Sequence, residues 1–152
     1  MRHNDIKIIQ YNSTYADDTV EMWRESMEKA IGQKPLHTFE EDVYFLNNVL
    51  CKDNIIYIAL DESDDKVIGM LAFNENEINQ LYIHVNYQGR GIGKRFLCIA
   101  KGNSTGRLTL YTFDVNQKAQ RFYERNGFKI IGRGYENEEN MDDIKYEWVD
   151  SI

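Results

Sequence analysis

The sequence predicts an α/β (α+β) fold built on a mixed, mostly antiparallel sheet of about seven strands. Short apolar runs of strand length alternate with longer stretches in which apolar residues recur at helical spacing. Short polar turns join some of the runs directly, which is typical of hairpins, whereas a helical stretch joins others, as in a crossover connection. Because both connections occur in one chain, we expect antiparallel and parallel pairing in the same fold.

The predicted strands are rich in β-branched and aromatic residues and are bounded by polar turns. They cover residues 6–11, 55–60, 67–73, 78–85, 108–113, 128–131 and 144–149. The polar turn 61–65 separates the second strand from the third and predicts a hairpin. A longer polar loop, 134–143, separates the last two strands.

Capping residues and glycines bound the predicted helices. Asn12 precedes the first helix and Gly32 can end it, since glycine readily adopts the left-handed conformation of a C-terminal cap. The third helix is expected to run through Lys101 with Gly102 as its cap, and the fourth to cover 116–125. One face of the second helix carries Phe39, Val43, Leu46 and Leu50.

Length and composition predict a single domain over residues 1–152. The chain has one proline and no linker, repeat or low-complexity tract. A net charge of -7 argues against a nucleic-acid partner and suits either a cationic partner or simple solubility. Cys51 and Cys98 lack the spacing of metal ligands, so we expect no bound metal and two free, buried thiols.

The sequence also favours a cytoplasmic location and no membrane partner. The polar start, Met1-Arg2-His3-Asn4-Asp5, lacks the apolar core of a signal peptide. No apolar stretch has the length needed to span a bilayer. Two cysteines without a disulfide pattern fit a reducing compartment.

A glycine-rich segment between the fourth predicted strand and the next helix carries the clearest chemical signal. Glycine permits a sharp turn and a close approach of backbone to ligand. A helix N-terminus adds unpaired N–H groups and a partial positive charge, so the segment predicts an anion site suited to a pyrophosphate. The segment is Gln88-Gly89-Arg90-Gly91-Ile92-Gly93-Lys94-Arg95.

The spacing within this segment excludes two common phosphate motifs. A dinucleotide fingerprint requires G-x-G-x-x-G, and here the third glycine comes one residue too early. A Walker A loop requires Ser or Thr after its lysine, whereas Arg95 follows Lys94. A strand-to-helix turn that binds no ligand is the structural alternative.

Residues 88–93 resemble the Q/R-x-x-G-x-G/A signature of the GNAT superfamily of acetyl-coenzyme A dependent N-acetyltransferases. The order of predicted elements also agrees with that family, so the resemblance covers nearly the whole chain. It implies helices on both faces of a sheet that is splayed between strands 77–85 and 107–113, with the pantetheine arm in the gap. A second block resembles the family's later strand–helix–strand segment: residues 108–116, Ala119, Phe122, Tyr123, Glu124, Gly127 and Phe128.

The resemblance implies a cofactor site for acetyl-coenzyme A without a metal. Backbone groups of Tyr82, Ile83 and Val85 are expected to bond the pantetheine amides. Asn116 is expected to contact the cofactor, although a helix N-cap is an equally compatible role. The backbone N–H groups expected to hold the pyrophosphate are those of Gln88, Gly89, Arg90, Gly91, Ile92, Gly93 and Lys94.

Attack on the thioester requires a neutral amine. Deprotonating a lysine-like amine at pH 7 costs about 4.6 kcal/mol, against about 1.4 kcal/mol for an α-amine, so the need for a base depends on the acceptor. Glu77 matches a glutamate that some family members use as a base, and a solvated turn residue is the alternative. His84 is a second candidate because histidine titrates near neutral pH. It shares one side of its strand with Gln80 and Tyr82, and a structural role is its alternative.

The departing thiolate requires a proton. Tyr123 occupies the position where the family commonly places the general acid, so the resemblance implies contact with the cofactor as well. A tyrosine of ordinary pKa near 10 can donate to a thiolate. A core aromatic beside Phe122 is the alternative role.

The acceptor is the least determined part of the site. In the family the first two helices and the last hairpin shape the acceptor pocket, which makes Trp23, Tyr44 and Tyr82 candidate lining residues. The acids of the 135–146 loop suit a cationic acceptor or are simply solvated. They are Glu136, Glu138, Glu139, Asp142 and Asp143.

We therefore expect transfer of an acetyl group from acetyl-coenzyme A to a primary amine of a small molecule or peptide, by direct attack on the thioester. One alternative is a coenzyme A-binding regulatory or interaction module with little catalysis. Another is an acyltransferase that uses a different acyl donor or a hydroxyl acceptor. Assembly as a homodimer is left open.

Overall fold

The computed structural model describes residues 5–151. Its strands are β1 (Ile6–Gln10), β2 (Ile55–Asp61), β3 (Lys66–Phe73), β4 (Ile78–Ile83), β5 (Arg107–Phe113), β6 (Lys129–Gly134) and β7 (Asp143–Val149). Its helices are α1 (Ala16–Ile31), α2 (Phe39–Phe45), α3 (Cys51–Asp53), α4 (Ile92–Gly102) and α5 (Gln117–Arg125). A π-helical stretch, Leu46–Leu50, connects α2 to α3. Residues 1–4 and 152, which bear on the signal-peptide argument and on the limits of the domain, lie outside the described residues.

The strands form two antiparallel sheets that meet at one point. The first sheet has the order β1-β2-β3-β4 and the second the order β5-β7-β6. Within residues 5–151 one parallel bridge links them, from Glu77 to Thr109, and the Thr109 N–H donates to the Asn76 carbonyl at 3.0 Å. Beyond this bridge β4 and β5 part, so the predicted splay between the fourth and fifth strands is confirmed.

A bulge in β4 sets the direction of its side chains. Opposite β3, Ala72 pairs with Gln80 and Phe73 pairs with Ile78, so Asn79 is an extra residue. Ile78 joins the apolar cluster under α4, whereas Tyr82 joins the cluster under α1. The end of β4 therefore presents alternate side chains to α1, which is the arrangement that the predicted site requires.

Two apolar clusters hold the helices on opposite faces of the first sheet. Strand β3 serves both because its alternate side chains point to opposite faces, and every residue after Lys66 is buried. Leu71 and Phe73 belong to the same cluster as Phe96 of α4. Met70 packs on the other face with Trp23 of α1. None of the helices within residues 5–151 is long and apolar enough to cross a membrane.

Several predicted element ends differ from the structure by one to three residues, and two of them bound β4 and α4. Strand β4 stops at Ile83, because Val85–Tyr87 form a 3-10 turn that begins at His84. Helix α4 includes Gly102, and Asn103 follows it as the cap. The first of these differences turns the chain out of the sheet just before the glycine loop.

The two cysteines are free, but both are exposed. The prediction that they are buried is therefore wrong. Cys98 lies outside the stripe of α4 that faces the core, a stripe that includes Ile92, Phe96, Leu97 and Ala100. Its neighbours in sequence are apolar, and only the phase of the helix separates a buried position from an exposed one.

Helix α2 should depend on its capping box. The Thr38 hydroxyl accepts from the Glu41 N–H at 3.1 Å, and the Glu41 carboxylate accepts from the Thr38 N–H at 2.7 Å. We expect Thr38→Ala to lower the free energy of unfolding by about 1 kcal/mol, measured by urea denaturation. Thr14→Ala is the control, since the Thr14 hydroxyl bonds no residue within 5–151. Equal losses in the two variants would contradict the role of the cap.

Candidate active site

The gap between β4 and β5 opens into a cleft of about 1170 Å³. Its walls are the end of β4, the glycine loop with the first turn of α4, one side of α5 and one side of α1. Among the described residues, no carboxylate lines it, whereas four cations do: Lys29, Lys94, Lys118 and Arg125. In a chain of net charge -7 this segregation creates a site suited to an anionic ligand.

The edge of β4 offers backbone groups to this cleft. The His84 N–H donates to the Ile68 carbonyl at 2.8 Å, and Tyr82 pairs with Met70. Because an antiparallel pair bonds every second residue to its partner, the polar backbone groups of Leu81 and Ile83 point away from β3. Both residues line the cleft.

This register corrects one predicted contact. The backbone of Tyr82 is engaged with β3, so the expected bond from that backbone to pantetheine does not fit, and Tyr82 contributes its side chain to the cleft. The positions of Ile83 and Val85 in the cleft wall are compatible with the predicted contacts, which remain predictions. Leu81 takes the place of Tyr82 at the strand edge, and only the register of β4 on β3 reveals it.

Two glycines of the loop have left-handed backbone conformations. The φ angles are +81° at Gly89 and +83° at Gly91. A Cβ atom at either position would meet nothing within 4 Å, so it is the backbone conformation that requires glycine. Gly91 precedes α4 as its cap, and no side chain in the described part of the chain bonds the N-terminus of that helix. The first N–H groups of α4 are therefore available to an anion.

Gly93 is needed for close packing instead. A Cβ atom there would lie 2.8 Å from the Cζ atom of Phe122. The absence of that atom allows α5 to approach the first turn of α4, and Phe122 itself lines the cleft. The sequence does not single out Phe122 for this role, because the contact joins two helices that are separated by a strand.

The side chain of Arg90 lies outside the lining of the cleft. Its guanidinium group stacks on the Tyr87 ring at 4.9 Å from the centroid and donates to the Asn86 carbonyl at 3.3 Å. The Tyr87 hydroxyl in turn donates to the Asp61 carboxylate at 2.5 Å. This hydrogen bond lowers the pKa of Asp61 and raises that of Tyr87 to about 12. The contacts from the end of β2 thus help to fix the glycine loop.

Gln88 links the two walls of the cleft. Its Nε2 atom donates to the Ile83 carbonyl at 3.0 Å, and its Oε1 atom accepts from Lys118 at 2.9 Å. A ligand that bonds the Ile83 carbonyl would take the place of the Gln88 amide. Lys118 is a further cleft residue that the sequence does not single out, since nothing in its local pattern marks it.

Asn116 has the role of a helix N-cap, which is the structural alternative to contact with a cofactor. Its Oδ1 atom accepts from the Ala119 N–H at 3.2 Å, which makes it the N-cap of α5. The residue also lines the cleft, so capping and contact with a cofactor are compatible.

Tyr123 forms part of the cleft wall with only 7% of its surface exposed. Its ring packs against Phe122 and Phe128, with centroid distances of 5.2 and 5.5 Å. Burial raises the pKa of Tyr123 well above its ordinary value, and the neighbouring Tyr82 adds to this effect. Burial likewise raises the pKa of Tyr82 to about 12, with a smaller contribution from Glu139. Both phenols are therefore protonated at neutral pH and can donate hydrogen bonds.

The two candidate bases lie outside the lining of the cleft. His84 is buried; its Nδ1 atom accepts from the Asn86 N–H at 3.1 Å, and its Nε2 atom lies 3.4 Å from Glu25. Glu77 stands at the bridge where the two sheets meet. The structure does not bring either one together with Tyr123 in the cleft wall, so their roles as bases stay predictions.

A second pocket, of about 700 Å³, lies along another side of α1. Trp23 and Tyr44, two of the predicted acceptor-binding residues, line this pocket, whereas the third, Tyr82, lines the cleft. Gln80 lines the pocket two residues before Tyr82 on β4, so the two cavities adjoin at this strand. We refer to it below as the α1–α2 pocket.

The fold and cleft agree with comparisons to known proteins. Residues 52–130, which are more than half of the chain, match the model of the acetyltransferase (GNAT) domain. The chain therefore belongs to the GNAT family of acetyltransferases, as its glycine loop implied.

One curated relative is the peptidyl-lysine N-acetyltransferase YjaB of Salmonella typhimurium. It is 33% identical over 78 residues, which cover 51% of this chain and 52% of the relative. The chain spans about half the length of the curated relatives that it matches.

Solved structures resemble the whole fold at low sequence identity. The solution structure of apo-form YjaB from Escherichia coli has a TM-score of 0.76 and 20% identity, covering 96% of this chain and 99% of that one. The PaiA N-acetyltransferase from Thermoplasma acidophilum, solved in complex with coenzyme A, has a TM-score of 0.71 and 22% identity, covering 95% and 98%. These likenesses establish the fold.

The conformation of Gly91 should control binding of coenzyme A. An alanine at this left-handed position costs about 1–2 kcal/mol of backbone strain, which a change of loop conformation would relieve by moving the N–H groups. We expect Gly91→Ala to weaken coenzyme A binding about fivefold or more, measured by isothermal titration calorimetry. Gly102→Ala at the far end of α4, where a Cβ atom meets nothing within 4 Å, should bind normally. Equal affinities would place the pyrophosphate elsewhere.

Proposed function

We propose that this chain transfers an acetyl group from acetyl-coenzyme A to a primary amine of a small molecule or peptide. The proposal rests mainly on one observation: a cleft that residues 5–151 line with cations and no carboxylate adjoins a pocket rich in carboxylates. An anionic donor fits the first and a cationic acceptor fits the second. Membership of the GNAT family supports acetyl transfer as the reaction.

The donor would bind along the cleft in an extended form. Its pyrophosphate would accept from the N–H groups at the start of α4, with Lys94 and Lys118 close by. Its pantetheine amides would bond the backbone groups of Leu81 and Ile83 that point away from β3 and would displace the Gln88 amide from the Ile83 carbonyl. This orientation would bring the thioester towards Tyr82 and Tyr123.

The reaction would proceed by direct attack. The neutral amine nitrogen forms a bond to the thioester carbonyl carbon, the carbon–sulfur bond breaks, and the amine loses a proton. A backbone N–H at the β4 edge could stabilise the oxyanion that forms between these steps. Glu77, His84 or water would accept the amine proton, and a water chain would be needed for either side chain because neither lines the cleft.

Tyr123 would serve the leaving thiolate. A thiol has a reference pKa near 8.5. Because burial raises the pKa of Tyr123 above its ordinary value, full transfer of the phenol proton to the thiolate is unfavourable. Its hydroxyl can still donate a hydrogen bond to the charge that grows on sulfur during bond breaking. The thiolate would then take a proton from water as coenzyme A leaves, and Tyr123 would keep its own proton.

A rival function is coenzyme A binding with little catalysis. The observation that favours it is the absence of both candidate bases from the cleft lining of residues 5–151. Release of free thiol from acetyl-coenzyme A should be followed with polyamines, amino acids, N-terminal peptides and lysine peptides. Turnover supports the transferase, whereas saturable binding without turnover on any amine supports the rival.

Replacement of Tyr123 should separate catalysis from binding. We expect Tyr123→Phe to lower kcat about 100-fold with the Kd for coenzyme A nearly unchanged, because the ring stays and the donor is lost. Tyr111→Phe is the matched control, since Tyr111 is an exposed residue of β5. Undiminished turnover in Tyr123→Phe would remove this hydroxyl from the mechanism.

The pH profile should reflect the acceptor amine and not the tyrosines. A raised pKa keeps a phenol protonated to higher pH, and burial raises the pKa of both Tyr123 and Tyr82. We therefore expect kcat/KM to rise as the amine deprotonates, with no descending limb up to about pH 10. A descending limb below that pH that disappears in Tyr123→Phe would show that Tyr123 titrates earlier.

A further inference from the structure

The α1–α2 pocket carries an excess of negative charge. Its carboxylates come from α1, α2 and the loop between β6 and β7: Glu28, Glu40, Glu41, Asp42, Glu138 and Glu139. Against these six stand the cations Arg24 and Lys34, together with His37. The three elements that supply the acids are separate in sequence, so the charge is gathered by the fold.

Much of the positive charge in this pocket is already paired. Arg24 donates to the Asp42 carboxylate at 2.6 Å and to the His37 carbonyl at 2.7 Å. The His37 ring lies 3.2 Å from Glu138, which raises the pKa of His37. Within residues 5–151 no ion pair involves Glu28, Glu40 or Glu139, and none involves Lys34, so unpaired carboxylates outnumber the unpaired cation and remain for an external cation.

Glu139 is the acid of the pocket whose charge affects a residue of the cofactor cleft. It lines the pocket, and its charge contributes to the raised pKa of Tyr82, which lines the cleft. Glu139 is partly buried, and desolvation raises the pKa of its own carboxyl. A cation beside it would offset that loss of solvation.

The rest of the pocket wall is largely apolar. Trp23 and Phe45 pack together with centroids 6.2 Å apart, and Tyr44 leaves 65% of its surface exposed. Met27, Ile31 and Val49 extend this surface between α1 and α2. An aliphatic chain that carries charge at intervals would contact apolar wall and carboxylates in turn.

Trp23 adds a second indication of a ligand. It is 8% exposed and lines the pocket, and its indole N–H has no acceptor within residues 5–151. A buried donor without a partner costs free energy, and because the indole nitrogen is enclosed by protein, an oxygen atom of a bound molecule would satisfy it only if the pocket wall opened on binding. A peptide carbonyl oxygen is such an acceptor.

We propose that the acceptor carries a second positive charge besides the amine that is acetylated, joined to it through an aliphatic or peptide chain. The inference rests on the proposed acetyl transfer and concerns its acceptor. The reacting amine lies neutral at the thioester, while the second cation stays protonated beside the unpaired carboxylates of the α1–α2 pocket. Both a free diamine and a basic peptide have this chemistry, and the unpartnered Trp23 N–H favours the peptide.

Matched pairs of acceptors test the proposal through thiol release. The first arm compares 1,5-diaminopentane with 1-aminopentane, and the second compares N-acetyl-Lys-Arg-amide with N-acetyl-Lys-Ala-amide. We expect the dication of at least one pair to have a kcat/KM about fivefold higher or more, as for one added charge contact. The arm with the larger preference identifies the source, and we expect the peptide arm.

Glu139→Gln should reduce that preference towards unity without altering the Kd for coenzyme A. Glu136→Gln is the control, because Glu136 is an exposed acid of the same loop that does not line the pocket. Equal kcat/KM values within both pairs would overturn this inference and leave acetyl transfer standing. The same conclusion would follow if Glu139→Gln and Glu136→Gln had the same preference for the dication. No thiol release with any amine would count against the proposed function itself.

Discussion

The cleft exists because two sheets share one backbone bridge. The Thr109 N–H bonds the Asn76 carbonyl beside the Glu77–Thr109 bridge, and beyond it β4 and β5 diverge. The bulge at Asn79 follows within two residues, so the side chains of β4 reach α1 where the gap widens. A longer ladder between the two strands would pair the edge of β4 and close the site. The position of this bridge therefore fixes both the depth of the cleft and the residues that face it.

The charges that line the two cavities differ from the net charge of the chain. The net charge of the chain is -7. Within the described residues, however, the charged residues that line the cleft are all cations, whereas carboxylates dominate the neighbouring pocket. Helix α1 separates the two, with Lys29 on the cleft side and Glu28 on the pocket side. Such a gradient would orient a cationic acceptor towards an anionic donor before any specific contact forms. Total charge, which is all that composition provides, contains no trace of this arrangement.

The sequence predicts the fold and the position of the glycine loop before α4 well, because both depend on local signals. Strand and helix periods, the cap at Gly32 and the glycines of the loop are each read within a few residues. The contact of Gly93 with Phe122 and the lining role of Lys118 join distant segments, and no local pattern encodes them. The sequence assigns Tyr82 to the strand edge in place of Leu81 for the same reason. Which alternate residues of β4 bond β3 depends on the register of the partner strand. Cys98 illustrates a related limit, because a shift of one position along a helix is enough to move a side chain from the core to the surface.

The free edge of β4 poses a problem that Gln88 resolves. An unpaired strand edge exposes backbone donors and acceptors and can recruit another strand. Here the Gln88 amide bonds the Ile83 carbonyl, and Lys118 holds the other end of the same side chain. In the proposed complex a pantetheine amide would replace the Gln88 amide, so one neutral hydrogen bond would be exchanged for another with little net change in free energy. The Ile83 carbonyl can thus remain satisfied without ligand and available to it, which a permanent backbone partner on β5 would not allow.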